Sequence, residues 1–334
     1  MQIVGDLWLE FRTKQRSRPL PKPFLIVNPH SANGATGRHF DDIANAVREQ
    51  LGDHDHAFTE RSLHATRLAR DALRAGTDLI IATGGDGTIN EVVNGFFEEA
   101  QPGVEPKLIR PGAALAVLPR GTGGDFRRTM GLDGDLRKSA RHLRGERRPL
   151  DVGRVEFLDH DGKPAARYFA NVAGCGVDAD IVNIANKSSK MLGGKLSFML
   201  ASLRGLAGWS DVSVRATFDE RPPEDLMVTS FSVANGKYFG GGMMVAPDAR
   251  LDDGLFHITI WSGFGFNTFV LKSGVLYDGS HIKLAGTRIE SAKKIRLEPG
   301  PKAGKIGLIE LDGEPVGKLP ATYTVIPGAI QLVS

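Results

Sequence analysis

The sequence predicts an α/β protein of two domains, and three observations carry that reading. From Phe24 to Pro119, short apolar runs, FLIV (24–27), DLIIAT (78–83) and ALAVLP (114–119), alternate with polar loops and with helical stretches around 38–51 and 89–100. Strands of four to six residues spaced by helices mark a mostly parallel sheet. After Leu150 the texture changes to short β-rich pieces such as GRVEFL, RYFANVAG, DVSVRATF, LMVTSFSVAN, LFHITIW and KIRLE, which read as an all-β second domain. The length, 334 residues, suits two domains at roughly 100–200 residues each.

Taken in order, residues 1–23 end in the Pro-interrupted basic stretch KQRSRPLPKP and read as an extension ahead of the first strand. The β-rich half contains one clear helical insert, about 191–207, where Leu192, Leu196, Met199, Leu200, Leu203 and Leu206 recur at spacings of three and four. Such a face packs on a core or lines a lipid site.

Composition narrows the function. Lys and Arg number 42 against 39 Asp and Glu, a net charge of +3, so the strong basic excess of a nucleic-acid binder is missing. Hydrophobic residues at 41% and charged residues at 24% fit a globular chain with buried cores. The single cysteine, Cys175, can form neither an internal disulfide nor a thiolate-rich zinc site, which predicts a reducing, cytoplasmic setting. Asp6 and Glu10 interrupt the first residues, so no secretory apolar core is expected. The longest run free of Asp, Glu, Lys and Arg, about 254–271, holds His257, Asn267 and three glycines and makes a poor membrane span.

The chemistry concentrates in loops that follow the apolar strands. DLIIATGGDGTINEVVNGFF (78–97) runs from strand into Gly84-Gly85-Asp86-Gly87-Thr88 and at once into a helix. Glycines let backbone approach a ligand, and free amides at a helix start attract phosphate oxygens. Asp86, a carboxylate inside an anion-binding turn, calls for an accompanying Mg²⁺ or a helix-start amide; a plain helix cap is the alternative. VNPHSANG (27–34) and LPRGTGGDF (118–126) follow strands in the same way, and loops at the carboxyl ends of neighbouring parallel strands converge on one crevice. Neither a G-x-x-x-x-G-K-[ST] loop nor a dinucleotide fingerprint in the first strand-to-helix turn is present, which disfavours P-loop NTPases and NAD-dependent dehydrogenases.

Asn28-Pro29 with Ser31, GGDGTINEVVNG (84–95), LPRGTGGDF, YFANVAGCGVDA (168–179), ANGKYFGGGMMVAPDARLDDGLF (234–256) and LDGE (311–314) follow one another in an order that resembles the diacylglycerol and sphingoid-base lipid kinases. The resemblance implies a nucleotide fold shared with NAD kinases and phosphofructokinases, joined to a β-sandwich domain. The α/β domain would comprise residues 24–148 plus a returning strand at 318–334, and the lipid-substrate domain residues 149–317. It implies ATP and Mg²⁺ as cofactors and a lipid alcohol as acceptor. Asn28, Ser31, Thr59, Gly84, Gly85, Asp86, Gly87, Thr88, Asn90 and Thr122 look like the ATP-contacting positions. Asp86 resembles the acidic residue that organises Mg²⁺ and phosphates, Asp125 a second member of that network, and Asp253 a ligand of a structural Mg²⁺ completed by the carbonyls of Arg250 and Leu255. Glu314 resembles the general base, with Asp312 its close rival; a solvated turn is the alternative for both. The family motif G-T-x-N-D-F has Asn where this chain has Gly124. A kinase of a soluble acceptor such as NAD and a catalytically silent nucleotide-binding regulator are the competing functions. Peripheral membrane contact is expected, and a homo-oligomer is compatible with the sequence.

Three further features read as structural. Cys175 lies among small residues and is expected to be packed, and His54 and His56 in GDHDHAF are expected to face solvent. The basic run Arg137, Lys138, Arg141, Arg144, Arg147 and Arg148 is either a solvated helix face or a docking surface for anionic headgroups.

Overall fold

The computed structural model describes residues 22–187, 194–302, 304 and 307–334. Most of the N-terminal extension, and Leu192 of the predicted insert, lie outside the described residues.

The apolar runs form the expected parallel strands: β1 (Phe24–Val27), β3 (Leu79–Gly84) and β4 (Ala114–Pro119), with β2 (Asp55–Phe58) at the edge, in the order β2-β1-β3-β4. Alternation sorts their side chains to two faces. Leu25, Val27, Leu79, Ile81, Ala114 and Ala116 join Ile43, Ala46 and Val47 of α2 (Phe40–Leu51) in one core. Ile26, Ile80, Ala82, Leu115 and Val117 pack on the other face against α3 (His64–Arg74) and α4 (Asp86–Gly95). A short helix, α1 (Ala35–Arg38), precedes α2, and α5 (Asp125–Thr129) and α6 (Leu136–Arg141) follow β4.

In the second half, β5 (Arg147–Leu158) through β15 (Glu314–Val333) build a β-sandwich around Val155, Phe157, Phe169, Phe218, Phe231, Phe256, Ile295 and Tyr323. One layer continues the sheet as β12 (Thr287–Ala292), β11 (Phe256–Trp261), β10 (Ser230–Ala234), β7 (Val172–Gly176) and β14 (Leu308–Leu311). The other is β9 (Glu224–Val228), β8 (Val212–Phe218), β13 (Lys294–Pro299), β15, β5 and β6 (Pro164–Phe169).

The two cores are joined by strands. Along β5, Leu150 and Val152 belong to the α/β core and Val155 and Phe157 to the sandwich. β15, 20 residues long, begins in the sandwich with Val316, Leu319 and Tyr323 and ends beside β4, where Gln331 and Leu332 pair in parallel with Ala114 and Leu115. The helical insert appears as α8 (Gly194–Leu206); a helix the sequence reading did not include, α7 (Val177–Lys187), precedes it, and Ala201 and Leu206 are buried on Val177 and Ile181.

Among the elements that went unread in the sequence are β2 and α3. β2 is an edge strand in which His56 and Phe58 are exposed, and it occupies part of the stretch read as an acidic loop. The buried face of α3 is Ala65, Ala69, Ala72 and Leu73, too weak in side-chain volume to stand out as a hydrophobic stripe. Cys175 is buried, as expected. The basic run is partly committed to the fold: the Arg144 guanidinium donates to the carbonyls of Glu49 and Gln50 at the end of α2, Arg147 pairs with Asp78 and Lys138 with Asp133. Among the described residues no helix is long and apolar enough to cross a membrane.

Because the last strand closes the α/β sheet, Leu332→Ala, at a site only 4% exposed, is expected to destabilise the protein by about 2–5 kcal/mol. Leu308→Ala at an exposed position of β14 should cost under ~1 kcal/mol, both read from urea midpoints.

Candidate active site

The loops after β1, β3 and β4 meet the β14–β15 hairpin around a cleft of about 600 Å³. In the first loop, the Asn28 amide donates to Thr88 Oγ1 at 3.0 Å and its Oδ1 accepts the His30 N–H at 3.0 Å, tying the loop to the start of α4. Ser31 Oγ donates to the Asn28 carbonyl at 2.9 Å. Ala32, Asn33 and Gly34 then share left-handed backbone, with φ of 51°, 55° and 80°. Such conformations cost on the order of 1–3 kcal/mol at a non-glycine residue and persist where surrounding structure enforces them; here Ala32 and Asn33 line the cleft.

The second loop brings the start of α4 to the cleft. Gly85 is the N-cap of α4 and no side chain caps that helix, so the first-turn amides have no partner within it. Gly121 of the third loop packs directly on this turn: a Cβ there would stand 2.5 Å from Gly85 Cα. Only glycine permits that backbone-on-backbone contact.

Asp86 caps the neighbouring helix. Its Oδ2 accepts the Asp125 N–H and its Oδ1 the Phe126 N–H, each at 3.1 Å, at the start of α5. Gly124, the N-cap of α5, has φ of +66°. Asn and Gly are the residues that most readily adopt this conformation, so the exchange of the family Asn for Gly preserves the backbone. Asp125 lies behind the cleft. Its Oδ1 accepts from Arg128 at 2.8 Å and its Oδ2 from the Gly241 N–H at 2.8 Å, linking the third loop to the second half. Burial and the nearby Asp86 charge push its carboxyl up to about 6.

The hairpin turn is Asp312-Gly313, with φ of 46° and 85°. Asp-Gly suits the left-handed two-residue turn that joins tightly paired strands, here Leu311 to Glu314. The Asp312 carboxylate is saturated: Oδ1 accepts the N–H groups of Asn171 (3.0 Å) and Val172 (2.9 Å), and Oδ2 those of Ala170 (3.0 Å) and the Asn90 amide (2.6 Å). Burial raises its pKa, and these donors oppose the rise. Glu314 keeps its side chain 33% exposed and accepts from Arg167 at 2.9 Å through Oε2.

Behind the hairpin, the Gly313 N–H donates to buried Glu310 at 2.8 Å. Burial holds the Glu310 carboxyl well above the usual carboxylate range. Asp178, pushed by burial up to about 7, accepts from the Ser230 hydroxyl. It borders a second, apolar pocket of about 50 Å³ formed by side chains that include Ile181, Leu206, Trp261, Phe264 and Phe269.

Of the residues singled out in the sequence, Asn28, Ser31, Thr59, Gly85, Asp86, Gly87, Thr88, Thr122, Asp312 and Glu314 line the cleft. Gly84, Asn90 and Asp125 are buried beside it. Arg250, Asp253 and Leu255 lie apart, next to the β5–β15 crossing, where Asp151 takes the Gly254 and Gly328 N–H groups. There Asp253 Oδ1 accepts the Leu255 N–H at 3.1 Å and Oδ2 meets His257 Nε2 at 2.9 Å. Glu91, Arg167 and Glu310 were not anticipated. Glu91 follows Thr88 by three residues on α4, a spacing that signals a shared face; Arg167 and Glu310 carry no local signal. The cleft is lined by the carboxylates of Glu60, Asp86, Glu91, Asp312 and Glu314 and, among Lys and Arg, by Arg61. Among the described residues no group of three or more His, Cys, Asp or Glu side chains converges as a metal-ligand set.

Residues 22–155 match the diacylglycerol kinase catalytic domain and residues 171–334 the YegS C-terminal NAD kinase beta sandwich-like domain. The chain is 29% identical over 319 residues to a diacylglycerol kinase of Bacillus subtilis (strain 168), covering 92% of this chain and 95% of that protein. It is 25% identical over 323 residues to a diacylglycerol kinase of Mycobacterium tuberculosis (strain ATCC 25618 / H37Rv), covering 95% of this chain and 96% of that one. The fold matches a crystal structure described as a putative diacylglycerol kinase from Bacillus anthracis str. Sterne with a TM-score of 0.71 at 24% identity, over 94% of this chain and 97% of that chain. With both halves matched and the loops arranged around one cleft, the chain belongs to the diacylglycerol kinase-like family of lipid kinases, enzymes that phosphorylate an alcohol acceptor.

Proposed function

We propose that this chain transfers the γ-phosphoryl group of ATP to the hydroxyl of a lipid alcohol, diacylglycerol or a close relative. The observation that carries the reading is the uncapped start of α4, laid over the Gly85–Gly121 contact and sharing one cleft with Glu314. Relatives named diacylglycerol kinase over almost their whole length support the acceptor class.

In this reading the amides of the α4 first turn bind phosphate oxygens, with Asn28, Ser31, Thr59 and Thr122 around the nucleotide. The donor set fits Mg²⁺. The cleft is acidic, so phosphates need a cation there, and Mg²⁺ is commonly held by one or two carboxylates with phosphates and water completing its shell. Asp86 is the residue that would hold it, and the ion supplies neutralisation of the phosphate charge. Glu314, oriented by Arg167, takes the proton of the acceptor hydroxyl as its oxygen bonds to the γ-phosphorus and the bond to ADP breaks. Asp312, with every in-plane oxygen site used, holds the hairpin that presents Glu314. The acyl end of the acceptor belongs in the apolar pocket beside Asp178. That pocket's present size admits only the first few methylenes, so longer chains require α8 and its neighbours to shift. Such an acceptor brings the protein to a membrane surface from one side.

A second Mg²⁺ at Asp253, with the carbonyls of Arg250 and Leu255, is an oxygen-only set of the right chemistry. It would compete with His257 for the carboxylate.

Labelled ATP with Mg²⁺ and a panel of lipid alcohols in mixed micelles tests the reaction. Glu314→Gln should lower kcat roughly 10²-fold or more with an unchanged melting temperature. Asp312→Asn turns an NH₂ toward amide donors and should destabilise by on the order of 3 kcal/mol, lowering the melting temperature by roughly 5 °C. The opposite pattern would make Asp312 the base, and no transfer to any lipid with ATP bound would reject the lipid acceptor.

Thermal melts with and without Mg²⁺, nucleotide absent, test the second ion. The wild type and Asp86→Asn should gain stability from Mg²⁺ while Asp253→Asn does not; a wild type indifferent to Mg²⁺ removes the ion from Asp253.

A further inference from the structure

The excursion between β11 and β12, residues 262–286, carries a helix, α9 (Phe266–Lys272), in which no residue is buried. Phe266 is 43% exposed, Val270 49% and Leu271 82%, the last the highest among the large apolar side chains described. Phe266 and Val270, four apart, share a face, and Leu271 extends it around the helix. The same segment also reaches inward: Phe264, ahead of the helix, and Phe269, on it, are walls of the apolar pocket that Asp178 borders. The helix ends the longest stretch of the chain without Asp, Glu, Lys or Arg, and exposed Lys272 closes it. The excursion presents a second exposed apolar and basic pair, Ile282 and Lys283, on the 3₁₀ turn Ser280–Lys283.

We propose that α9 is the membrane-docking element of this protein: Phe266, Val270 and Leu271 enter the surface of a bilayer containing anionic lipid, with Lys272 at the headgroups and the apolar pocket opening behind them.

The inference rests on the lipid-acceptor reading for the direction of the pocket. Apolar side chains held at 43–82% exposure on a helix without a carboxylate suit a shallow insertion among acyl chains. The lysine that follows them complements an anionic headgroup layer, its stem lying along apolar surface and its ammonium in water. A second copy of the chain is a poorer occupant, because a stable interface needs about 800 Å² from each partner and a two-turn helix offers a fraction of that. The pocket decides the matter further: docking through α9 sets Phe264 and Phe269 next to the layer from which a lipid acceptor must come.

Co-sedimentation of the full chain with vesicles, nucleotide absent, tests this. Wild type should bind mixed phosphatidylcholine–phosphatidylglycerol vesicles and bind phosphatidylcholine alone more weakly. The double variant Phe266→Ser, Leu271→Ser should lose roughly tenfold or more in partitioning, and Lys272→Glu about fivefold on the anionic vesicles only. Both variants should keep the wild-type melting temperature and the wild-type rate on a short-chain acceptor dispersed in detergent. Undiminished vesicle binding by both variants overturns the proposal. So does a wild-type dimer that the double variant converts to monomer with vesicle binding unchanged, which would give the face to a second copy. Because binding is read without turnover, wild type that sediments with vesicles yet phosphorylates no lipid would overturn the acceptor reading and leave the docking element standing.

Discussion

A single half-buried carboxylate ties the loops of the cleft together. Removing Asp312 from water is tolerable only if its oxygens are fully hydrogen-bonded, and four donors at 2.6–3.0 Å meet that demand. Three are consecutive backbone amides, Ala170 to Val172, where the chain turns from β6 into β7, and the fourth is Asn90 on α4. The hairpin bearing Glu314, the turn at Ala170–Val172 and α4 therefore cannot move independently. An Asp in the left-handed turn position satisfies the hairpin and the clamp at once, which accounts for all four of its hydrogen bonds.

A second acidic link closes the other seam. Asp86 spends both oxygens on the amides that start α5, and Asp125, one residue into that helix, reaches across to the Gly241 amide. The carboxylates thus divide by task. Glu60 and Glu314 add negative charge to the lining of the cleft. Asp86, Asp125 and Asp312 organise loops, and burial raises the affinity of Asp125 and Asp312 for protons. Gly121 belongs to the same construction: without its bare backbone the third loop could not lie against Gly85, and Asp86 would lose the helix it caps.

Much of this was legible in the sequence because it is local. Glycine-rich loops after apolar strands, the Asp-Gly hairpin and the alternation that buries both faces of β1, β3 and β4 are all written within a few residues. What was not legible depends on distance. The partners of Asp312 lie 140–222 residues away, so the sequence showed two candidate carboxylates and could not show that one is saturated. Arg167 meets Glu314 across 147 residues and belongs to no motif. β2 and α3 escaped for a different reason: an edge strand needs no apolar alternation, and an alanine face scarcely differs from a polar one. The basic run was visible as charge, but that Arg144 binds the last carbonyls of α2 follows only from packing.

The position of Gly174 shows how closely the two pockets are built. It sits on β7 opposite Glu310 of β14 and Ser232 of β10, and a Cβ there would fall 2.8 Å from Glu310 Oε1 and 3.0 Å from Asp178 Oδ2. The missing side chain makes room for two carboxyl groups beside the Ser230 and Ser232 hydroxyls. Asp178 stands at the wall of the apolar pocket, and Glu310 accepts the Gly313 N–H in the turn that precedes Glu314. Burial keeps protons on these groups more readily than on ordinary carboxylates, which lowers the repulsion between them. A substituent on Gly174 would press on Asp178 at the pocket wall and on Glu310 behind the hairpin together, because both carboxyl groups stand over that one backbone position.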